Sequence, residues 1–264
     1  MFETLGFTLS QLELWLLIFI RFFTLLSVLP FFSYDTFNPR LRGLLAILLA
    51  TITVKTVPFP ESNFPVGFTI LMFYALREVF VGLCIGTFCG IFTEIVKYAG
   101  NLVSQMMGLS MASMIDPTTS QESEVMPEIF NIFAILLILA ANGHHFFIRA
   151  MFDTLYMIPV TEASYPFAEI SQQLISLVSS IIVLGIRVSA PMMIIVFLIR
   201  IVVGILNRLI QDADIFAVIL IIDILVGLYI LMYYWPYYAQ IVNLVFNFTQ
   251  AQVLTIIRLM GVIS

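Results

Sequence analysis

Long runs of apolar residues are the feature that most constrains what this chain can fold into. Four of them extend over about residues 9–32, 67–99, 174–206 and 215–232. A helix that crosses the hydrocarbon core of a membrane needs about 20 mainly apolar residues. Apolar residues make up 61% of the chain and charged residues 10%, whereas a soluble domain has roughly 25% charged residues. The sequence therefore predicts an all-α membrane protein, or a subunit of an apolar membrane complex, in one domain.

Proline and polar residues divide these runs. Asn142-Gly143 is expected to break one helix, and Pro191 is expected to kink or split the run around it. The aromatic cluster Tyr233–Tyr238 is typical of a water–apolar interface. It separates a predicted helix, Ile215–Met232, from a predicted final helix, Gln240–Leu259.

A row of glycines lies within the run over 67–99. Gly82, Gly86 and Gly90 recur at every fourth position, which places them on one face of a helix. Small residues on one face allow another helix to approach closely. Glycine is also common in membrane helices in general, but three in register favour a tight contact with another helix or subunit.

Charged residues inside the apolar runs do not fit a simple helical bundle in lipid. Each such charge at the centre of a bilayer costs about 2.5–3.5 kcal/mol on insertion scales. Pairing inside the bundle is one explanation, with Arg77–Glu78 and Arg149–Asp153 as candidate pairs. The other explanation is that much of the apolar surface faces other protein chains or a water-filled conduit. The residues concerned are Arg21, Arg77, Glu78, Arg149, Asp153, Arg187, Arg200 and Asp223.

A polar, methionine-rich segment between Gly108 and Glu128 interrupts the apolar sequence. Methionine is unbranched and adaptable, so it can fill an irregular gap and do so again after the gap has opened. An apolar constriction also blocks ions by excluding water. The segment therefore suggests a seal, with ordinary helix packing as the alternative. Five of the 13 methionines of the chain lie in or beside this segment, namely Met106, Met107, Met111, Met114 and Met126.

Motifs for catalysis, metal binding or nucleotide binding are absent from the sequence. It contains no His-Glu-x-x-His motif, no Gly-x-x-x-x-Gly-Lys-Ser/Thr loop and no Gly-x-Ser-x-Gly elbow. His144 and His145 diverge by about 100° on a helix, which is unsuited to chelating one metal. The net charge of −5 and the scattered basic residues argue against nucleic-acid binding. We expect no catalytic residue, metal or cofactor, and we expect Cys84 and Cys89 to be buried thiols.

Two blocks of sequence are distinctive, and they follow one another along the chain. Residues 108–117 read Gly-Leu-Ser-Met-Ala-Ser-Met-Ile-Asp-Pro, and residues 142–145 read Asn-Gly-His-His, followed by Phe-Phe-Ile-Arg-Ala. Together with the pattern from Pro191 to Gly227, they resemble the FliR family of flagellar type III export-gate proteins, and the resemblance covers nearly the whole chain. The Asn-Gly-His-His block favours the flagellar branch over virulence injectisome homologues, which are the nearest alternative.

The resemblance implies a structural protein of hydrophobic helical hairpins with kinked or broken helices. A part similar to FliP would extend to about residue 160, and a part similar to FliQ would cover about 161–264. A single copy would join FliP and FliQ chains, next to FlhA and FlhB, in the inner membrane at the flagellar basal body. The assembled gate would be raised toward the periplasm, and exported flagellar proteins would pass through its channel.

The resemblance also implies a plug that closes the channel. A secondary transporter with broken helices is a rival, although its expected signature, two related halves, is not visible in the sequence. A membrane enzyme is a third. The residues assigned to the plug are Met106, Met107, Gly108, Met111, Met114, Asp116, Pro117 and Met126, and those assigned to a structural helix break are Asn142, Gly143, His144 and His145.

Overall fold

Helices account for all regular secondary structure in the part of the chain that the structure describes, which confirms the predicted all-α fold. The computed structural model describes residues 9–29, 32, 38–57, 67–109, 125–160, 166–209 and 215–261, and only the backbone of 206–209 and 215–220. The helices are α1 (Leu9–Val28), α2 (Pro39–Thr53), α3 (Phe68–Met106), α4 (Val125–Ala140), α5 (His144–Met157), α6 (Phe167–Leu209) and α7 (Ile215–Met260).

Four of these helices, α1, α3, α6 and α7, are long and apolar enough to cross a membrane. The broken pair α4–α5 would make a fifth span. α3, α6 and α7 have 39, 43 and 46 residues. At about 1.5 Å per residue each is roughly twice as long as a bilayer's hydrocarbon core is thick. Parts of these helices therefore lie outside lipid, or inside protein.

α6 runs unbroken through Pro191, so of the two outcomes predicted at this proline, a kink or a split, the split does not occur. A proline inside a helix removes a backbone hydrogen bond and disturbs the turn before it. In membrane helices neighbouring side chains re-satisfy the backbone groups that are freed. The Tyr234 hydroxyl donates to the carbonyl of Val188, next to the Arg187 carbonyl that Pro191 leaves without its N–H partner, and so connects α7 to α6 in this turn.

α7 also runs unbroken through Pro236, so the two separate helices predicted here are wrong. Tyr234 and Tyr238 are buried, while Tyr233 and Tyr237 are exposed. The aromatic cluster therefore presents one side to the protein interior, and only its other side fits the predicted water–apolar interface. The sequence signal was misleading because the buried tyrosines pack against this helix's neighbours and support it across the proline.

The described residues form two compact units. The first contains the chain up to Ile91, Gly143–Ile175 and the chain from Thr249, and the second contains Phe92–Asn142 and Ser176–Phe248. α3, α6 and α7 each contribute residues to both units. The units are therefore made of stretches that alternate along the sequence.

The glycine row of α3 faces α1 in the first unit. A Cβ atom on Gly86 would lie 2.8 Å from Cβ of Val28, and one on Gly82 would overlap the side chain of Thr24. Gly90 is less crowded, since a Cβ there would lie 3.7 Å from the Val28 carbonyl oxygen. Because Gly82 and Gly86 have no side chains, α1 and α3 can approach each other closely.

In the second unit α4 packs against α7 through aromatic side chains. The ring of Phe130 meets that of Tyr238 edge-on, with the ring centroids 5.0 Å apart. The ring centroids of Phe133 and Trp235 are 4.0 Å apart. The Tyr238 hydroxyl donates to the carbonyl of Phe130. Buried tyrosine needs such a partner for its polar end, so this bond fixes α4 along α7.

Candidate functional site

The C-terminal end of α3 is the point at which the chain enters the methionine-rich segment. Gly108 has a φ of 73°, a left-handed conformation that glycine adopts at no steric cost. Its N–H donates to the Gln105 carbonyl at 3.2 Å, and the N–H of Leu109 donates to the Ser104 carbonyl at 3.1 Å. This pair of bonds is a Schellman motif, which ends a helix while satisfying its last carbonyls. The local sequence therefore fixes where α3 stops.

The Met107 side chain, beside this turn, is completely buried. It lies against Gly227 of α7, where a Cβ atom would be 2.5 Å from the methionine Cε and 2.7 Å from its Sδ. No side chain larger than that of glycine fits at 227 unless Met107 moves. The first residue after α3 is thus seated in a recess of α7.

The guanidinium of Arg200, on α6, joins the end of α3 to α7. Its Nη2 donates to the Met106 carbonyl at 2.6 Å, and its Nε donates to Asp223 Oδ2 at 2.8 Å. The Asp223 side chain is 3% exposed and that of Arg200 is 39% exposed. The last carbonyls of a helix lack partners within the helix and carry partial negative charge. Arg200 therefore neutralises a buried carboxylate and caps α3 at the same time.

The other end of the methionine-rich segment is also packed. Met126, in the first turn of α4, is buried. A Cβ atom on Gly100 of α3 would lie 2.5 Å from Cα of Pro127 and 3.0 Å from the Met126 carbonyl oxygen. The segment therefore leaves from one fixed point on α3 and returns to a second one, both within the second unit.

We call the residues at these two points the loop anchors. They are Met106, Met107 and Gly108 at the first point, and Met126 and Pro127 at the second. The first point is contacted by Gly227 and by Arg200, which is itself bound to Asp223, and the second point is contacted by Gly100. Four other residues assigned to the plug, Met111, Met114, Asp116 and Pro117, lie outside the described residues, and their role stays a prediction. Sequence reasoning missed the anchoring residues on α6 and α7, because Arg200 and Met106 are 94 positions apart.

The first unit encloses a fully buried ion pair between α1 and α3. Nη2 of Arg21 donates to Glu78 Oε1 at 2.9 Å, and its Nε donates to the other carboxylate oxygen. Its Nη1 donates to the carbonyls of Thr154 and Ile158 on and after α5, each at 2.9 Å. A buried pair is stable only when further hydrogen bonds satisfy its remaining groups. Here the guanidinium of Arg21 makes these further hydrogen bonds, and it thereby connects three helices.

The predicted pairing of Glu78 with Arg77 is wrong. Adjacent residues on a helix point about 100° apart and do not face each other. Glu78 faces Arg21 on α1, and the guanidinium of Arg77 lies 5.2 Å from the ring centroid of Tyr74.

The proposed pairing of Arg149 with Asp153 is not formed either. Among the described residues no ion pair joins these two side chains, and Arg149 is exposed. A spacing of four residues on a helix permits an ion pair but does not require one.

The Asn-Gly-His-His block lies at the junction of two helices, and its histidines are in the first turn of the second one. α4 ends at Ala140 and α5 begins at His144. Asn142 has a φ of 57°, a conformation that asparagine tolerates better than most residues. The ring centroids of His144 and His145 are 4.2 Å apart, and the ring planes are tilted by 34°. Within the described ranges, no group of three His, Cys, Asp or Glu side chains is arranged to hold a metal.

Both cysteines are free and buried in α3. They lie five positions apart, so their side chains project from different faces of the helix. This agrees with the prediction of two buried thiols.

Comparison with known proteins gives a consistent result. Residues 12–249 match the family model described as bacterial export proteins, family 1. The flagellar biosynthetic protein FliR of Bacillus subtilis is 26% identical over 94% of this chain and 95% of its own length. FliR of Escherichia coli is 25% identical over 90% of each chain. The surface presentation of antigens protein SpaR of Shigella flexneri is 25% identical over 81% of this chain and 82% of its own.

Proposed function

Since the chain belongs to the bacterial export proteins, family 1, we propose that it is a structural subunit of the type III protein export gate of the bacterial flagellum. The observation that carries this proposal is the family match, which extends over residues 12–249, almost the whole chain. Relatives named FliR, a flagellar biosynthetic protein, cover the same length. The fold of long apolar helices with a broken pair supports the same function.

A virulence injectisome is the alternative setting. SpaR and the FliR of Escherichia coli are both 25% identical to this chain, over 81% and 90% of it respectively. The Asn-Gly-His-His block at 142–145 favours the flagellar system. The two settings differ in the exported proteins and agree on a structural role in an export gate.

We propose FliP and FliQ as the neighbours of this chain, which is present as a single copy, with FlhA and FlhB nearby. About 1–160 would take a FliP-like place and about 161–264 a FliQ-like place. Exposed apolar side chains that surround an exposed charge support contact with other chains. On α6, Val183 and Ile186 are exposed next to the exposed Arg187, and a charge is poorly tolerated in lipid.

The site of action is the inner membrane at the flagellar basal body, with the gate raised toward the periplasm and unfolded flagellar proteins passing through it. A raised gate would remove several charged helix segments from lipid. It would also explain why α3, α6 and α7 are far longer than a bilayer requires.

Within this gate, we propose that the segment between the loop anchors is the plug of the closed channel. Anchors that are buried at both ends hold the segment in place, while its methionines supply an adaptable apolar seal. Met106, Met107 and Met126 stand at the anchors, and Met111 and Met114 lie between them in sequence. If the segment is the plug, removing it opens an ion path through an assembled gate.

The role of the protein is mechanical and not enzymatic. The charged side chains with the tightest contacts, Arg21, Glu78, Arg200 and Asp223, pair with each other and with backbone carbonyls. That arrangement suits the fixing of helices. A transporter acting alone is the rival, and substrate-dependent flux by the isolated chain would favour it.

Co-purification tests the proposal. The tagged chain is expressed with the FliP and FliQ of the same organism, and the detergent-solubilised complex is analysed by native mass spectrometry. We expect a stable complex that contains one copy of this chain together with several copies of each partner. Recovery of a monodisperse, native-like chain without either partner would contradict the proposal.

A further inference from the structure

We propose that the lipid bilayer covers α6 and α7 only from the segment that connects them up to the level of Arg187 and Tyr233, and that Arg187 binds phospholipid headgroups at this level. We call it the boundary level. The inference adds a lipid boundary to the proposed inner-membrane location, and it does not depend on the plug.

A hydrogen bond between the two helices defines the boundary level. The Tyr234 hydroxyl of α7 donates to the Val188 carbonyl of α6. Arg187 and Tyr233 each precede one member of this bond, so they lie at the same level of the helix pair. Arg187 is exposed, and the Tyr233 side chain is 71% exposed. A charge and a large aromatic ring therefore meet the surroundings of the protein together.

The exposed surface of α7 changes from apolar to polar at the boundary level. Residues three, four or seven positions apart share one face of a helix. On one such face, four exposed apolar side chains precede Tyr233 and three exposed amides follow it. Amide groups bind water and are costly to bury in hydrocarbon, so a surface that suits lipid ends here. The apolar residues are Ile221, Leu225, Leu228 and Met232, and the amides are Gln240, Asn243 and Asn247.

An apolar stripe on α6 ends at Arg187. Exposed apolar side chains follow this arginine at intervals of seven, four, three and four positions, which is the spacing of one helix face. Val183 and Ile186 precede Arg187 and belong to the surface proposed for contact with other chains. The stripe consists of Ile194, Leu198, Ile201 and Ile205.

The apolar surfaces of the two helices lie on the same side of the boundary level. A second bond, from Arg200 of α6 to Asp223 of α7, shows that the helices run antiparallel, and it joins the charges of this part to each other. Residues 188–205 and 215–232 are each about 27 Å long at about 1.5 Å per residue. The hydrocarbon core of a bilayer is about 30 Å thick, so this part of the pair matches one bilayer.

Arg187 is suited to the phosphate of a phospholipid headgroup. Among the described residues its guanidinium makes no hydrogen bond or ion pair. An arginine near the end of a lipid-covered segment extends its charge to the interface, and a guanidinium binds phosphate through two parallel hydrogen bonds. Exposed Tyr233 and Tyr237 favour the same interface, where tyrosine is enriched.

Spin labels on α7 test the boundary. A nitroxide is attached to the complex through Leu225→Cys or Asn243→Cys, with Cys84 and Cys89 replaced by alanine and with partner subunits that lack cysteine. The complex is placed in vesicles of phosphatidylcholine and phosphatidylglycerol. We expect oxygen, which concentrates in lipid, to relax the label at 225, and a water-soluble nickel chelate to relax the label at 243. Equal responses at both positions would overturn the boundary. So would a label at 225 that both reagents fail to reach, because a partner chain would then cover it.

Charge removal tests the headgroup site. Arg187→Gln is compared with Arg258→Gln, since Arg258 is exposed in the last turn of α7 and its loss changes the net charge equally. Binding of added phosphatidylglycerol to the detergent-solubilised complex is measured by native mass spectrometry. We expect Arg187→Gln to bind this lipid about fivefold more weakly, which is the usual contribution of one arginine near an anionic surface. Arg258→Gln should bind it as the unchanged complex does.

Other outcomes of this comparison identify what is wrong. Equal lipid binding by the two variants would overturn the headgroup site. If Arg187→Gln fails to assemble while Arg187→Lys assembles, Arg187 binds a carboxylate of a partner chain and the headgroup site is wrong. If the unchanged chain forms no complex with FliP and FliQ, the proposed export-gate function itself fails.

Discussion

The two arginine–carboxylate pairs of this protein are chemically alike and differently built. Arg21 and Glu78 are both buried, both carboxylate oxygens are bonded, and the arginine makes two further bonds to backbone carbonyls. Arg200 is partly exposed, bonds one oxygen of Asp223 and leaves the other unbonded among the described residues. Both members of the first pair are enclosed in protein, whereas the arginine of the second pair is partly exposed to solvent.

The two pairs differ in how far water can reach them. An enclosed pair cannot open without stranding a charge in an apolar interior. The Arg21–Glu78 pair therefore joins α1, α3 and the end of α5 permanently. In the second pair the guanidinium of Arg200 is partly exposed and can exchange protein contacts for water, while Asp223 stays buried. The Arg200–Asp223 pair lies at the end of α3, where the segment that we propose as the plug begins.

Replacement of Glu78 by Gln should have the largest effect, because it leaves Arg21 buried without a counter-charge. Breaking a buried pair destabilises a protein by about 3–5 kcal/mol. We expect little assembled complex and a much lower midpoint of thermal unfolding for what is recovered. Glu94→Gln is the matched control, since Glu94 is exposed on the same helix. Equal stability of the two variants would show that the enclosed pair is not a fixed point.

Replacement of Gly86 by Leu should have the next largest effect, because it separates the helices that carry the enclosed pair. A side chain at this position meets Val28 on α1, and overpacking typically costs about 1–3 kcal/mol. We expect a lower unfolding midpoint and less complex. At Gly43, in α2, no atom lies within 4 Å of an added Cβ, so Gly43→Ala serves as the control. A fully assembled, equally stable Gly86→Leu complex would contradict the close approach of α1 and α3.

Replacement of Asp223 by Asn should have the smallest effect on stability. The amide keeps an oxygen that accepts from Arg200, and the released charge of the arginine reaches water. We expect a loss of about 1 kcal/mol, near the upper range for exposed pairs. Glu78→Gln and Asp223→Asn both replace an acid by its amide, so the thermal unfolding midpoints of the two variant complexes can be compared directly. If Asp223→Asn were as damaging as Glu78→Gln, the distinction between a fixed pair and an open one would be lost.

Much of the fold could be predicted because its signals are local. Apolar runs gave α1, α3 and α6, and the fourfold spacing of Gly82, Gly86 and Gly90 predicted a tightly packed helix face. The sequence also marked Arg21, Glu78, Arg200 and Asp223 as charges that need an explanation. Each of these inferences uses residues within a few turns of each other.

The rest depends on contacts between distant residues. Arg21 and Glu78 are 57 positions apart, and Arg200 binds a backbone carbonyl, which no side-chain pattern reveals. The continuity of α7 through Pro236 was missed for a similar reason. The hydroxyls of Tyr234 and Tyr238 bind carbonyls on α6 and α4, and these tertiary bonds outweigh the local tendency of a proline to end a helix.

The most direct test of the account is the conductance of the purified gate complex with and without residues 111–123 of this chain. Native mass spectrometry first establishes that both complexes contain the same subunits in the same numbers. We expect the unchanged complex to be closed to ions and the shortened one to conduct steadily. Two complexes of identical composition that are both closed would contradict the claim that this segment seals the gate.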